Sequence, residues 1–177
     1  MIIVDTSIIS SLAKINRLNL IKSIFENETI LIVYEVVNEL LVSKEKGYDF
    51  VDRILKVMAY EESELKGGKW ILKKYPDEKT SKRIDQLYEK YPHIHMCEIV
   101  SIAFAKLNNA TLLIDDRQAL QVAKKEKIET YTLPALIQYS KEKEFIKMNE
   151  VKDIIKLLEL KDHYKFQEDV KKELLKK

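Results

Sequence analysis

The chain has 177 residues, 46% hydrophobic and 34% charged, which suits one globular domain that folds without disulfide or metal staples. Its 31 basic and 29 acidic residues leave a net charge of +2, so no global field draws it to nucleic acid or to a membrane surface. Gly47, Gly67 and Gly68 are the only glycines, which excludes a G-x-G-x-x-G fingerprint and a Walker A loop. A phosphate would have to be held by something other than a glycine-rich backbone cradle.

The single cysteine, Cys97, rules out an intramolecular disulfide and suits a reducing compartment. No apolar run approaches the roughly 18 residues of a membrane span, and MIIVDTSII lacks the basic start of a signal peptide. The expectation is a soluble, cytoplasmic protein.

In chain order, Ile2 to Val4 is a β-branched run that stops at Asp5-Thr6-Ser7, a strand followed by helix-capping residues. Ile8 to Leu12, then Leu18, Leu20, Ile21, Ile24 and Phe25 have helical spacing, with a break near Asn16. Ile30 to Val33 reads as a second strand, and Val36, Val37, Leu40 and Leu41 as the helix after it. Val51, Ile54, Leu55 and Met58 fall at i, i+3, i+4 and i+7 of another helix. Gly67-Gly68 breaks the chain before a short strand over Lys69 to Leu72, and a polar helix is predicted between Pro76 and Pro92.

Glu98 to Leu107 is apolar on most faces, as a central helix is. Thr111 to Ile114 is a strand that ends at Asp115-Asp116. A helix carrying Leu120, Val122 and Ala123 follows, then a short run from Glu129 to Leu133. From about Asn149 the chain is a lysine- and glutamate-rich helical stretch with Val151, Ile154, Ile155, Leu157 and Leu158 on one side. This alternation predicts an α/β fold with a mainly parallel sheet and its site beyond the carboxyl ends of the strands.

Two predicted strands end in carboxylates, Asp5 and the Asp115-Asp116 doublet. Two further acids, Glu39 and Glu98, lie early in helices. Carboxylates gathered in one cleft repel each other, and a hard divalent cation with oxygen ligands resolves that repulsion. Mg²⁺ or Mn²⁺ held there can activate water against a phosphodiester.

The ordered set of Asp5-Thr6-Ser7, Val36-Val37-Asn38-Glu39-Leu40, the EIVSIAFAKL helix opened by Glu98, and LLIDDRQALQVA resembles the PIN domain family of VapC-type toxin ribonucleases and related RNA-processing nucleases. The resemblance runs over about residues 1 to 140. It implies a three-layer α/β/α fold with a central parallel sheet of four or five strands. It divides the chain into a nuclease domain over 1–148 and a helical extension over 149–177. It makes Asp5, Glu39, Glu98 and Asp116 the catalytic acids, with Asp115 a close alternative to Asp116. Asp5, Glu98, Asp115 and Asp116 become the metal ligands, and Thr6 and Ser7 the supporting hydroxyls. The implied activity is Mg²⁺- or Mn²⁺-dependent endoribonucleolytic cleavage of RNA, as in toxin–antitoxin pairs, with an antitoxin protein and a homodimer as partners. Cys97 stands where many relatives carry Gly, and Tyr34 where many carry Pro.

Plainer roles stay open for each acid. Asp5 and one of the doublet can cap helices, Glu98 suits the positive end of a helix, and Glu35 rivals Glu39 on the same helical face. A catalytically weak RNA- or protein-binding PIN module is the alternative function. A receiver-type phosphoacceptor would need its acid pair after the first strand, whereas here the doublet follows a late one. His93, His95 and Cys97 have zinc-like spacing without a further ligand pair.

Arg117 and Lys124 are the candidate RNA-binding residues, with Lys125 beside them. Lys69, Lys73, Lys74, Lys79, Lys82 and Arg83 form a basic excess that can follow an RNA backbone. Trp70, Tyr75, Tyr88 and Tyr91 are candidate base-stacking residues.

Overall fold

The computed structural model describes residues 1–176. Six parallel strands form the sheet: β1 (Ile2–Val4), β2 (Ile30–Val33), β3 (Met58–Ala59), β4 (Ile71–Lys74), β5 (Thr111–Leu113) and β6 (Thr130–Tyr131). Their order is β3-β4-β2-β1-β5-β6. Helices flank the sheet: α1 (Thr6–Lys14), α2 (Asn19–Ile24), α3 (Tyr34–Glu45), α4 (Phe50–Val57), α5 (Glu78–Lys90), α6 (Met96–Asn108), α7 (Arg117–Lys125), α8 (Leu133–Glu142), α9 (Met148–Lys161) and α10 (Glu168–Leu175). The α/β class and the parallel sheet are as expected; six strands replace the four or five that the resemblance implied.

The central strands are apolar throughout because both faces are covered. Ile2, Ile3, Val4 and the whole of Ile30–Val33 are buried. Helix α6 lies against β1, β2 and β5, and every residue from Ile99 to Ala105 is buried, which is why its sequence lacks a polar face. Asn109 closes that helix in the left-handed region at φ 48°, a conformation asparagine tolerates better than most residues.

The connections fix where a site can form. From β1 the chain moves outward to β2 on one side; β5 takes the other side of β1 and leads to β6. The connections after β1 and β5 thus diverge, which opens a crevice at the carboxyl ends of these neighbouring strands. Asp5 follows β1 at that edge, and Asp115 and Asp116 follow β5.

Several elements differ from expectation. Met58 was the last apolar position of a helical pattern. It leaves the helix at φ −85°, ψ 133° and pairs with Ile71 as an edge strand, buried either way. Leu133–Glu142 is a helix capped by Thr132, with Pro134 in its first turn, a segment for which the sequence reading proposed only a strand run ending at Leu133. The C-terminal stretch is two helices, interrupted after Lys161 where His163 takes φ 53°. Val151, Ile154, Ile155 and Leu158 of α9 and Leu174 of α10 belong to the same hydrophobic core as the central strands.

Candidate active site

The cleft is assembled from side chains whose local roles are set by helix starts. Asp5 ends β1 and caps α1: its Oδ2 accepts from the Ser7 amide at 3.3 Å and the Ser7 hydroxyl at 2.8 Å. Its Oδ1 is buried with no partner among the described residues. The Thr6 hydroxyl donates to Oε2 of Glu39 at 2.5 Å, tying the start of α1 to the second turn of α3. Oε1 of Glu39 lies 3.3 Å from Nδ1 of His95, and the same nitrogen is 3.5 Å from Oε2 of Glu98. That Glu98 oxygen is buried and has no hydrogen-bond partner among the described residues. Asp116 caps α7, its Oδ1 accepting from the Ala119 amide at 2.8 Å, and its carboxylate is exposed to solvent.

The electrostatics couple these groups to one another. Burial pushes the Asp5 carboxyl above its ordinary range against the pull of Ser7 and Thr6, and the charge of Glu39 pushes the same way. Burial raises Glu98 to about 7; Asp5 and Asp116 add to the rise, while His95 opposes it. The Cys97 thiol is driven far up by burial and by Glu39, Glu98 and Asp5, so it stays protonated at neutral pH. Asp5, Glu39, Glu98 and Asp116 thus come from four separate stretches of sequence, and each is coupled through charge to at least one of the others at the carboxyl edge of the sheet.

A family model, DUF3368, described as a PIN domain, matches residues 1–177. The chain belongs to the PIN domain family. Among curated proteins, none matches the chain. PIN domains are generally nucleases that typically use divalent metals, and the cleft of this PIN domain fits such an ion. Asp5 Oδ1 and Glu98 Oε2 are buried carboxyl oxygens with no hydrogen-bond partner among the described residues, an arrangement that is costly once the groups ionise unless a cation completes it. All the unpartnered oxygens are hard donors of the kind Mg²⁺ and Mn²⁺ take.

Asp115 is placed differently from its neighbour. Its Oδ1 accepts from the Leu133 amide at 3.1 Å and its Oδ2 from the Tyr164 hydroxyl at 2.6 Å, so it joins β5 to α8 and to the segment between α9 and α10. Arg117 is exposed at the first position of α7. It lines an open cavity of about 610 Å³ together with Asp115, Tyr164 and Phe166. Lys124 sits seven residues further along the same helix, roughly 10 Å away along its axis, toward the opposite edge of the sheet.

His95 lies in this cleft, whereas the sequence reading grouped it with His93 and Cys97. Its place three residues before Glu98, at the cap of α6, was the signal available. Glu39, His95 and Cys97 have ligand atoms within 4.8 Å of one another. Glu35, the rival of Glu39, has a buried Oε2 with no hydrogen-bond partner among the described residues.

The proposed basic run is largely neutralised. Lys69 pairs with Glu64, Lys74 with Glu62, Lys82 with Glu78 and Arg83 with Glu126. Among the aromatic candidates, Tyr91 is buried and donates to Glu126, and Trp70 packs against the core. Tyr75 and Tyr88 are exposed. No helix among the described residues is long and apolar enough to cross a membrane.

Proposed function

We propose that this PIN domain is a metal-dependent endoribonuclease that hydrolyses RNA phosphodiester bonds at the carboxylate cleft with Mg²⁺ or Mn²⁺. The observation that carries this reading is the pair of buried, unpartnered oxygens, Asp5 Oδ1 and Glu98 Oε2, in a crevice shared with Glu39 and Asp116. Asp5, Glu98 and Asp116 would hold the ion, which when bound supplies charge compensation and a water acidic enough to react near neutral pH.

The chain's own groups do the positioning. Ser7 fixes one oxygen of Asp5 and leaves the other without a hydrogen bond among the described residues. Thr6 fixes Glu39 in the same way. His95 sets its Nδ1 between Glu39 and Glu98, 3.3 Å and 3.5 Å from their oxygens. Arg117, next to Asp116, offers a planar donor fork for a non-bridging phosphate oxygen.

The reading has a direct test. Purified protein with Mn²⁺ is expected to cut single-stranded RNA internally, EDTA to stop the reaction, and Asp5→Asn and Glu98→Gln each to abolish it. Mn²⁺ is also expected to raise the melting temperature of the wild type and to leave that of Asp5→Asn unmoved. Cleavage that survives both substitutions, or that EDTA does not stop, overturns the assignment.

A further inference from the structure

Away from the acidic cleft, the same edge of the sheet continues across β2, β4 and β3, and each of these strands is followed at once by a tyrosine. Tyr34 follows Ile30–Val33, Tyr75 follows Ile71–Lys74, and Tyr60 follows Met58–Ala59. With strands roughly 4.8 Å apart, the three lie one, two and three strand spacings from the strand that carries Asp5. The Tyr34 and Tyr75 rings stack with centroids 4.8 Å apart and 27° between their planes. The Lys73 ammonium sits over all three rings, 4.9 Å from Tyr34, 5.2 Å from Tyr60 and 4.6 Å from Tyr75.

This cluster is neither core nor ordinary surface. Tyr60 and Tyr75 are 56% and 60% exposed, so their rings are not there to fill the interior. Lys73 has no carboxylate partner among the described residues, because the nearby acids of the 3₁₀ turn, Glu62 and Glu64, are taken by Lys74 and Lys69. The exposed Tyr60 and Tyr75 rings around a cation that has no carboxylate partner among the described residues match a polyanion that carries a flat base on every unit. A purely phosphate-binding surface would have no use for the rings, and an apolar protein partner would have none for the charge.

We infer that Tyr34, Tyr60, Tyr75 and Lys73 form a stacking platform for the bases of single-stranded RNA on the β2 side of the cleft, with Lys73 meeting the phosphates between them. The inference rests on the reading of the acidic cleft as a site acting on RNA, and it adds where the strand lies. The width of three strands suits about two or three stacked bases, as on other sheet platforms.

The test measures binding without cleavage. A short fluorescent oligoribonucleotide is titrated with wild-type protein in excess EDTA, followed by anisotropy. The double variant Tyr60→Ala, Tyr75→Ala is expected to weaken binding about tenfold or more, and Tyr75→Phe to keep it. Lys73→Ala is expected to weaken binding and to flatten its salt dependence. An abasic oligomer of the same length is expected to bind wild type and double variant alike, since it has phosphates but nothing to stack.

Because both tyrosines are exposed, the double variant should melt as the wild type does, and a matching melting curve confirms that it is folded. Affinity unchanged in the folded double variant overturns the platform, as does an equal loss with the abasic oligomer; a protein partner then becomes the occupant to look for. The two readings fail separately. RNA cleavage with tyrosine-independent binding removes the platform alone, and tyrosine-dependent binding without metal-dependent cleavage removes the nuclease alone.

Discussion

The two aspartates that close β5 differ in how many of their oxygens are already taken. Asp115 accepts from the Leu133 amide and the Tyr164 hydroxyl with separate oxygens, whereas Asp116 uses one oxygen as a helix cap and is exposed to solvent. Asp115→Ala removes both acceptors and strands two donors, so a stability loss of about 1–3 kcal/mol is expected. The Mn²⁺-induced rise in melting temperature should persist in that variant. Asp116→Ala costs a cap, about 1 kcal/mol, and should lose most of the Mn²⁺ response. Urea denaturation and melts with and without Mn²⁺ check both. Asp115→Ala losing the Mn²⁺ response while Asp116→Ala keeps it would reverse the assignment. Asp5, Glu39, Glu98 and Asp116 were legible in the sequence because each sits at a strand end or early in a helix, where topology collects them. The separation of Asp115 from Asp116 was not, since it depends on Tyr164, some fifty residues away in sequence. His95 was legible as a histidine but not as a neighbour of Glu39, which only the packing of α6 against α3 brings within reach.

Between elements, Glu126 joins α5 to the end of α7. Arg83 and Lys90 of α5 reach its carboxylate at 2.7 and 2.8 Å, and the Tyr91 hydroxyl donates to it at 3.1 Å. Burial alone would raise this carboxyl, yet Lys90, Tyr91 and Arg83 more than offset it and hold it below the usual range. Glu126→Gln keeps the shape and removes the charge, so stability should fall by about 1–3 kcal/mol at neutral pH. The midpoint of a urea titration reads this loss, and an unmoved midpoint would mean that the contact is worth no more than an exposed ion pair. No local pattern announced Glu126, because its partners lie 35 or more residues earlier in the chain. The edge strand β3 escaped notice for a related reason: a buried methionine satisfies a helical period and a two-residue strand equally well. Helix α6 and the polar α5 between Pro76 and Pro92 followed their sequence closely, because the run from Ile99 to Ala105 is buried throughout and α5 buries only Thr80 and Leu87.

Across the whole molecule, the acidic cleft sets the pH dependence of stability. Asp5 and Glu98 are raised by burial, Glu98 from 4.5 to about 7, so the metal-free native state holds more protons than the unfolded chain between those values. Stability is therefore expected to fall as pH rises from about 4.5 to about 7 and to level off above that. Carboxylates with lowered values, Glu64, Asp77, Glu126 and Glu173, act in the opposite sense. Their contribution is complete above the ordinary carboxylate range and is lost as the solution is acidified below it. The metal-free protein should thus melt highest near pH 5, with Glu98→Gln flattening the decline toward neutrality. A divalent ion needs the same carboxylates deprotonated, so Mn²⁺ affinity should rise across the window in which the metal-free fold weakens. The gap between melting temperatures with and without Mn²⁺ is then expected to widen from about pH 5.5 to about pH 7.5 in the wild type. A metal-free melting temperature that climbs steadily through that range would show Glu98 titrating as an ordinary glutamate, and the proposed metal site would lose the charge strain on which it rests.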